Sequence, residues 1–130
     1  TENITLHSKY EINKYTITFN DEDRITTKEV NYNAKVEPVT NQGKTGYTFK
    51  YWSLEENGVA YDFNTKITKD ITLYSVYSVN NYKVSFVDNG TKYIEDETIE
   101  YNKTTIKPET DPSKVGHTFK YWSEEPNGKE

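Results

Sequence analysis

Histidine and cysteine, which serve widely as catalytic base and nucleophile, are scarce or absent in this sequence. The chain has two histidines, His7 and His117, and no cysteine. Its serines are scattered, so no set of nucleophile, base and orienting group can be assembled. The histidines also differ in their places within the repeat described below, since His7 aligns with Tyr74 and His117 with Tyr47. We therefore expect surface or packing roles for both histidines, and no enzymatic activity.

Two acidic clusters, at residues 21–23 and 95–97, are candidates for binding a cation. Calcium takes several oxygen ligands, but neither cluster belongs to a glycine-bearing calcium loop, and the two do not occupy matching positions. A solvated turn or edge strand is the favoured interpretation. Histidine and cysteine also lack the spacing of zinc sites. We expect no metal and no cofactor.

The aromatic segment at residues 48–52 has two interpretations. It has the composition of a platform that stacks sugars or single-stranded nucleic acid. The alternative is that Phe49 and Trp52 fill the core, which is favoured because only 32% of the residues are hydrophobic and 15% are aromatic. With a net charge of -5 and scattered basic residues, the chain has no footprint for nucleic acid. No apolar run is long enough to predict membrane insertion.

The most informative feature of the sequence is an internal repeat. Residues 46–53 return as residues 116–123, with seven of the eight positions identical. The similarity continues upstream, where residues 15–19 correspond to residues 82–86. A chain of near-copies favours length and multivalency over a unique pocket.

A third match sets the repeat boundaries, because residues 1–15 resemble residues 68–82. The sequence therefore predicts three parts. Residues 1–12 are the last strand of a preceding repeat, residues 13–79 form a complete module, and residues 80–130 form a second module that is truncated before its last strand.

Alternation of apolar and polar residues predicts β-strands at residues 15–19, 47–52 and 71–77. A further strand is expected to carry Val30 and Tyr32 inward. No sustained period of 3.6 residues is present. Each module is thus predicted to be a small sheet of about four strands, mainly β with little or no helix.

The predicted core consists of large side chains from these strands and from the segment before the last one: Phe19, Phe49, Trp52, Phe63, Leu73, Phe86, Phe119 and Trp122. Tyrosine is enriched at protein interfaces. The tyrosines expected to remain exposed, Tyr51, Tyr74 and Tyr121, are therefore candidates for a partner surface.

The order of these motifs resembles the Listeria–Bacteroides repeat family, which includes the B repeat of internalins. The resemblance rests on residues 15–19, 46–52, 61–65 and 71–77. It implies tandem β-grasp-like, ubiquitin-related modules on secreted or cell-wall-attached bacterial proteins. It therefore also implies an extracellular location.

Two departures from the family pattern affect the backbone. Tyr51 and Tyr121 stand where the family has a glycine before the tryptophan, so a less sharply bent strand is expected there. Asn33 and Asn102 replace another glycine. Asparagine tolerates the left-handed conformation, so we expect that turn to survive.

The repeats and the resemblance together predict a non-enzymatic spacer and adhesion module of a bacterial surface protein. The alternative is a specific binding module for a host or extracellular-matrix protein or a glycan, through exposed tyrosines and edge strands. Residues 80–130 contain no counterpart of the last strand. We therefore also expect head-to-tail self-association, in which residues 4–10 of one copy complete residues 80–130 of another by strand addition.

Overall fold

The computed structural model describes all residues, 1–130. The chain forms two compact units, Thr1–Val79 and Asn80–Glu130. Every regular element is a strand, so the prediction of a mainly β fold without helix is confirmed. No helix with the length and apolar character of a membrane span is present.

The first unit contains one four-stranded sheet, made of β1 (Lys14–Asp21), β2 (Arg24–Asn31), β3 (Tyr47–Ser53) and β4 (Ile71–Val79). Its strand order is β2-β1-β4-β3. The two outer pairs are antiparallel, whereas β1 and β4 in the centre run parallel. The first and last strands of the repeat are therefore direct neighbours. The finer β-grasp assignment stays a prediction.

The core lies on one face of this sheet. Ile17 and Phe19 of β1 are buried two residues apart, as the period of a strand requires. The parallel register places Phe19 beside Leu73, which is also fully buried. The ring of Trp52 meets that of Phe19 edge-on at 5.0 Å between centroids.

A β-bulge explains how Phe49 and Trp52, three residues apart, serve the same core. The register of β3 against β4 shifts between Phe49 and Tyr51, which leaves Lys50 without a partner residue. The extra residue brings both rings to one face, 5.5 Å apart. β3 is therefore irregular next to Tyr51. The replacement of the family's glycine by Tyr51, which predicts a less sharply bent strand, does not prevent this bulge.

Two irregular segments complete the core, one before β3 in the chain and one after it. Val36 and Ile67 are buried there, and Phe63 packs against the same cluster. The two segments are joined by backbone hydrogen bonds from Asn33 N to Ile67 O (2.7 Å) and from Ile67 N to Ala34 O (2.8 Å). These bonds satisfy backbone groups that have no strand partner.

The turn after the second strand keeps its conformation in both repeats. Asn33 has φ 67° and Asn102 has φ 64°. The predicted survival of this left-handed turn is confirmed. Each turn is closed by an equivalent bond, Ala34 N to Asn31 O and Lys103 N to Glu100 O, both 3.0 Å.

The second unit contains two short antiparallel pairs. β5 (Asn81–Val84) pairs with β8 (Glu97–Glu100), and β6 (Val87–Asp88) pairs with β7 (Thr91–Lys92). Tyr82 lies opposite Ile99 as Tyr15 lies opposite Val30 in the first unit.

The aromatic cluster of the second unit centres on Trp122. Phe86 is buried and its ring lies 5.1 Å from that of Trp122. Phe119 lies 5.3 Å from the same indole, and both Phe119 and Trp122 are half-buried.

Three local expectations differ from the structure. Residues 1–13 form no strand, and Ile4, Leu6 and Tyr10 are 78–89% exposed. The place beside β1 is filled by β4, so residues 1–13 are not part of this sheet. Residues 117–122, the counterparts of residues 47–52 in the repeat, form no strand either. Tyr32 lies beyond the end of β2, where the chain turns at Asn33, and it is half-exposed instead of inward.

Candidate functional site

The first polar cluster lies where β1 ends, around Asp21, which is only 7% exposed. Its Oδ1 accepts a hydrogen bond of 2.5 Å from the Tyr77 hydroxyl. Its Oδ2 accepts bonds from the guanidinium of Arg24 at 2.8 Å and the side-chain amide of Asn41 at 3.0 Å. A buried carboxylate is costly unless it is paired and hydrogen-bonded. These three donors supply that compensation, and we refer to the four side chains as the Asp21 network.

Asn41 ties the network to the irregular segment before β3. Its amide nitrogen also donates to Tyr77 Oη at 2.8 Å, and its Oδ1 accepts from the backbone nitrogen of Gly43 at 2.7 Å. Burial, followed by the hydrogen bond to Asp21, raises the pKa of Tyr77. The phenol therefore stays protonated at neutral pH and acts as a donor.

The Asp21 network is suited to joining strands and not to binding a cation. Both carboxylate oxygens of Asp21 face donors from the chain, and the adjacent Glu22 pairs with Lys44 at 2.6 Å. No group of three or more histidine, cysteine or acidic side chains is gathered in a way that could hold a metal ion. The prediction of a solvated turn therefore holds for Glu22 and Asp23, which are exposed. It does not hold for Asp21, which is buried.

The second acidic cluster is also held by ion pairs. Asp96 Oδ2 lies 3.2 Å from Lys83 Nζ and 3.3 Å from Lys92 Nζ. The side chains of Ser85 and then Lys83 lower the pKa of Asp96. These contacts link the segment before β8 to β5 and β7.

Two of the three predicted partner-surface tyrosines make the same local contact. The hydroxyl of Tyr51 donates to Gly58 O at 3.0 Å, and that of Tyr121 donates to Gly128 O at 3.2 Å. In both repeats the tyrosine hydroxyl thus forms a hydrogen bond that stabilises the turn after the tryptophan. The rings stay partly exposed, but their hydroxyls are already used within the chain.

Tyr74 lies on the sheet face opposite the core. It alternates with the buried Leu73 along β4, and two residues later Val76 lies opposite Tyr51 of β3. Tyr51, Tyr74 and Val76 therefore share this outer face, whereas Tyr121 belongs to the second unit. Tyr51 and Tyr74, two of the predicted surface tyrosines, thus share one face of the first unit.

An open groove of about 430 Å³ runs beside Tyr74 and is also lined by Leu54, Tyr61 and Ile71. A second groove of about 350 Å³ shares Leu54 and Tyr61 with it. The Tyr61 hydroxyl is buried beside the Thr65 side chain. Burial raises the pKa of Tyr61, and the neighbouring Thr65 side chain opposes the shift. The two grooves and Tyr74 therefore adjoin one another on the first unit.

Both units match the same known protein family. The model of the Listeria-Bacteroides repeat domain matches residues 15–76 and again residues 82–130. The chain belongs to the Listeria–Bacteroides repeat family. The bulge of β3 and three members of the Asp21 network lie inside the first match, whereas Tyr77 lies one residue beyond it. The Trp122 cluster lies inside the second match.

Several longer bacterial proteins are similar to this chain. A protein of Evansella cellulosilytica named "Putative membrane protein" is 38% identical over 127 residues, which is 94% of this chain and 19% of the relative. Internalin H of Listeria monocytogenes is 36% identical over 83 residues, or 62% of this chain and 15% of the relative. The chain thus spans less than a fifth of the length of these relatives.

Sequence reasoning missed the Asp21 network of this Listeria–Bacteroides repeat, although a signal was present. Asp21 corresponds to Asp88 and Tyr77 corresponds to Tyr10 in the repeat alignment. An acidic residue at the end of the first strand and a tyrosine in the last strand both recur, and this recurrence indicates that the two side chains interact. The two histidines take no part in any such cluster: His7 lies in the exposed stretch before β1, and His117 Nδ1 lies 2.9 Å from Val115 O.

Proposed function

We propose that these repeats form a non-enzymatic spacer and adhesion segment of a secreted or cell-wall-attached bacterial surface protein. The observation that carries the proposal is the direct joining of repeats. β4 ends at Val79 and β5 of the next repeat begins at Asn81. Each repeat therefore adds a folded unit without a separate linker, which is how repeat proteins gain length.

The extracellular location is supported by the family and by its relatives. Internalin H and a protein named "Putative membrane protein" are among the relatives. The polar clusters support a non-enzymatic role, since their hydrogen bonds are made within the chain.

The spacer function is tested by displaying an epitope tag on bacterial cells, with and without the 130-residue chain between the tag and a cell-wall anchor. Antibody binding to the tag is the readout. We expect the chain to raise binding, and two chains in series to raise it further. Binding that does not change with the number of chains would overturn the spacer proposal.

A specific binding module for a host or extracellular-matrix protein or a glycan is the second candidate. The groove beside Tyr74, which is also lined by Tyr61, favours it. Glycan arrays and immobilised matrix proteins would be probed with the chain, its Tyr74→Ala variant and its Tyr10→Ala variant as a control outside the sheet. Saturable binding that is lost only in Tyr74→Ala would support this function. Absence of binding would leave the spacer.

Self-association is a further proposed partner contact. Residues 1–15 repeat the sequence of 68–82, which contains β4, and in this structure β4 pairs with β1. Applying the same register to another copy would place Ile4 beside Val84 and Leu6 beside Phe86. The exposed apolar side chains of residues 4–10 and the open side of β5 favour this strand addition.

A further inference from the structure

The parallel pairing of β1 with β4 determines how the repeat would respond to tension. The paired residues run from Ile17 beside Ile71 to Asn20 beside Tyr74. β1 is the strand by which the chain enters the repeat, and β4 is the strand by which it leaves. A force along the chain therefore reaches these two strands first.

This force acts along the length of both strands. Because β1 and β4 are parallel, a pull on the start of β1 and on the end of β4 acts in opposite directions along the same ladder. The backbone hydrogen bonds between the strands are then sheared together. In a hairpin pulled from its two ends they would break one after another.

Two side-chain hydrogen bonds lie at the ends of this ladder. At the end where β1 begins, Asp70 Oδ1 accepts a bond of 2.8 Å from the backbone nitrogen of Thr16. At the other end, Asp21 accepts the bond of 2.5 Å from Tyr77. Both bonds join β1 to β4 or to the residue just before it, so they extend the sheared region beyond the backbone pairs.

The ladder is also shielded on the core face. Ile17, Phe19 and Leu73 are at most 1% exposed. Water competes for a hydrogen bond once the bond is strained, and buried neighbours limit its access.

We propose that the β1–β4 ladder, with the Asp70–Thr16 and Asp21–Tyr77 bonds at its ends, is a mechanical clamp that lets each repeat withstand tension along the chain. The proposal rests on the spacer function, because only a segment tethered at both ends is placed under tension. The bulk of the remaining repeat, including β2 and β3, lies outside the direct path of the force.

The test is single-molecule pulling of the 130-residue chain from chosen points. The sequence has no cysteine, so two introduced cysteines define the attachment sites. The pair Asn13→Cys and Asn81→Cys shears the ladder. The pair Asn13→Cys and Lys69→Cys opens it from one end, since residues 13 and 69 lie at the same end of the parallel register.

We expect the shearing pair to unfold the first unit at a force higher by about twofold or more than the opening pair at the same pulling rate. Equal forces would overturn the clamp. This result is independent of the display experiment, so failure of the clamp and failure of the spacer function are distinguishable.

A matched pair of variants tests the end of the ladder. Asp70→Ala removes the bond to Thr16, whereas Asp62→Ala removes a comparable exposed bond of 2.9 Å from Asn64 N, outside the ladder. We expect only Asp70→Ala to lower the shearing force relative to the parent chain. If both variants lower it equally, or neither does, Asp70 is not part of the clamp. Thermal melts of both variants report any general loss of stability.

Discussion

Asp21 Oδ1 and Tyr77 Oη are 2.5 Å apart, and this hydrogen bond connects two strands that are 56 positions apart in the sequence. Asp21 is the last residue of β1, and Tyr77 lies on β4 three residues past the last backbone pair of the parallel ladder. The bond therefore holds the two central strands together where their backbone pairing has ended.

Tyr77→Phe is expected to reduce the free energy of unfolding of the first unit. The change removes a donor from a buried carboxylate and an acceptor from Asn41, and such a loss costs about 1–3 kcal/mol. Chemical denaturation measures it. The control is Tyr10→Phe, the sequence counterpart of Tyr77, which is 89% exposed and should leave stability unchanged. Equal effects of the two variants would contradict the role of the Asp21 network.

The stability of the fold should fall in alkaline solution. The pKa of Tyr77 is raised above its ordinary value of 10.0. The folded state thus holds the proton more tightly than the unfolded state. The resulting stabilisation is complete below the ordinary pKa and is lost as the pH rises through the folded pKa. Urea denaturation between about pH 8 and about pH 11 follows this loss.

Variants separate Tyr77 from the other groups that titrate in this range. The pKa values of Tyr61 and Lys44 are also raised, so the parent chain loses stability from all three groups. We expect Tyr77→Phe to show a shallower decline than the parent, and Tyr10→Phe to follow the parent. A parallel decline in Tyr77→Phe and the parent would be inconsistent with the assigned shift.

Trp52→Ala is expected to unfold the first unit. The indole is 4% exposed and contacts the rings of Phe19 and Phe49. Truncating a buried tryptophan costs about 3–5 kcal/mol, which is a large part of the stability of a small domain. Near-ultraviolet circular dichroism during heating reports the loss. A cooperative melt near the parent temperature would show that Trp52 is not a core residue.

Gly58→Ala should destabilise the turn that Tyr51 braces. An added Cβ would lie 2.6 Å from Ser53 Oγ and 3.1 Å from Glu55 Cβ. Such overpacking costs about 1–3 kcal/mol. The variant Ser53→Ala removes the nearest atom, Ser53 Oγ. Adding Gly58→Ala to Ser53→Ala should therefore lower the free energy of unfolding by less than adding Gly58→Ala to the parent. A fully additive double variant would argue against this close contact.

Leu6→Asp is expected to weaken self-association of the 130-residue chain. In the proposed strand addition Leu6 meets Phe86, whereas Thr5 points to the other face of the added strand. Thr5→Asp is therefore the matched control and should leave association intact. Sedimentation velocity at increasing concentration gives the assembly state. A parent chain that stays monomeric throughout would reject the strand addition.

The strands of the first unit were predictable because alternation and repetition agree there. Ile17 and Phe19 alternate with polar residues, and their counterparts recur in the second repeat. Val36 and Ile67 could not be assigned to the core in the same way. They lie in irregular segments, where no period separates buried from exposed positions.

Long-range contacts account for most of what the sequence did not reveal. The acidic cluster around Asp21 predicts a solvated turn, but Asn41 and Tyr77 reach Asp21 from 20 and 56 positions away. Residues 4–10 and 117–122 have the sequence of strands and do not form them. A strand needs a neighbour that supplies its hydrogen bonds, and sequence similarity alone does not provide one.

The most direct measurement is the ratio of two unfolding forces for the first unit, one pulled through residues 13 and 81 and the other through residues 13 and 69. If β1 and β4 form a sheared clamp at the centre of each repeat, this ratio is about two or more. A ratio of one would contradict the clamp and with it the view that the repeat is built to withstand tension along the chain.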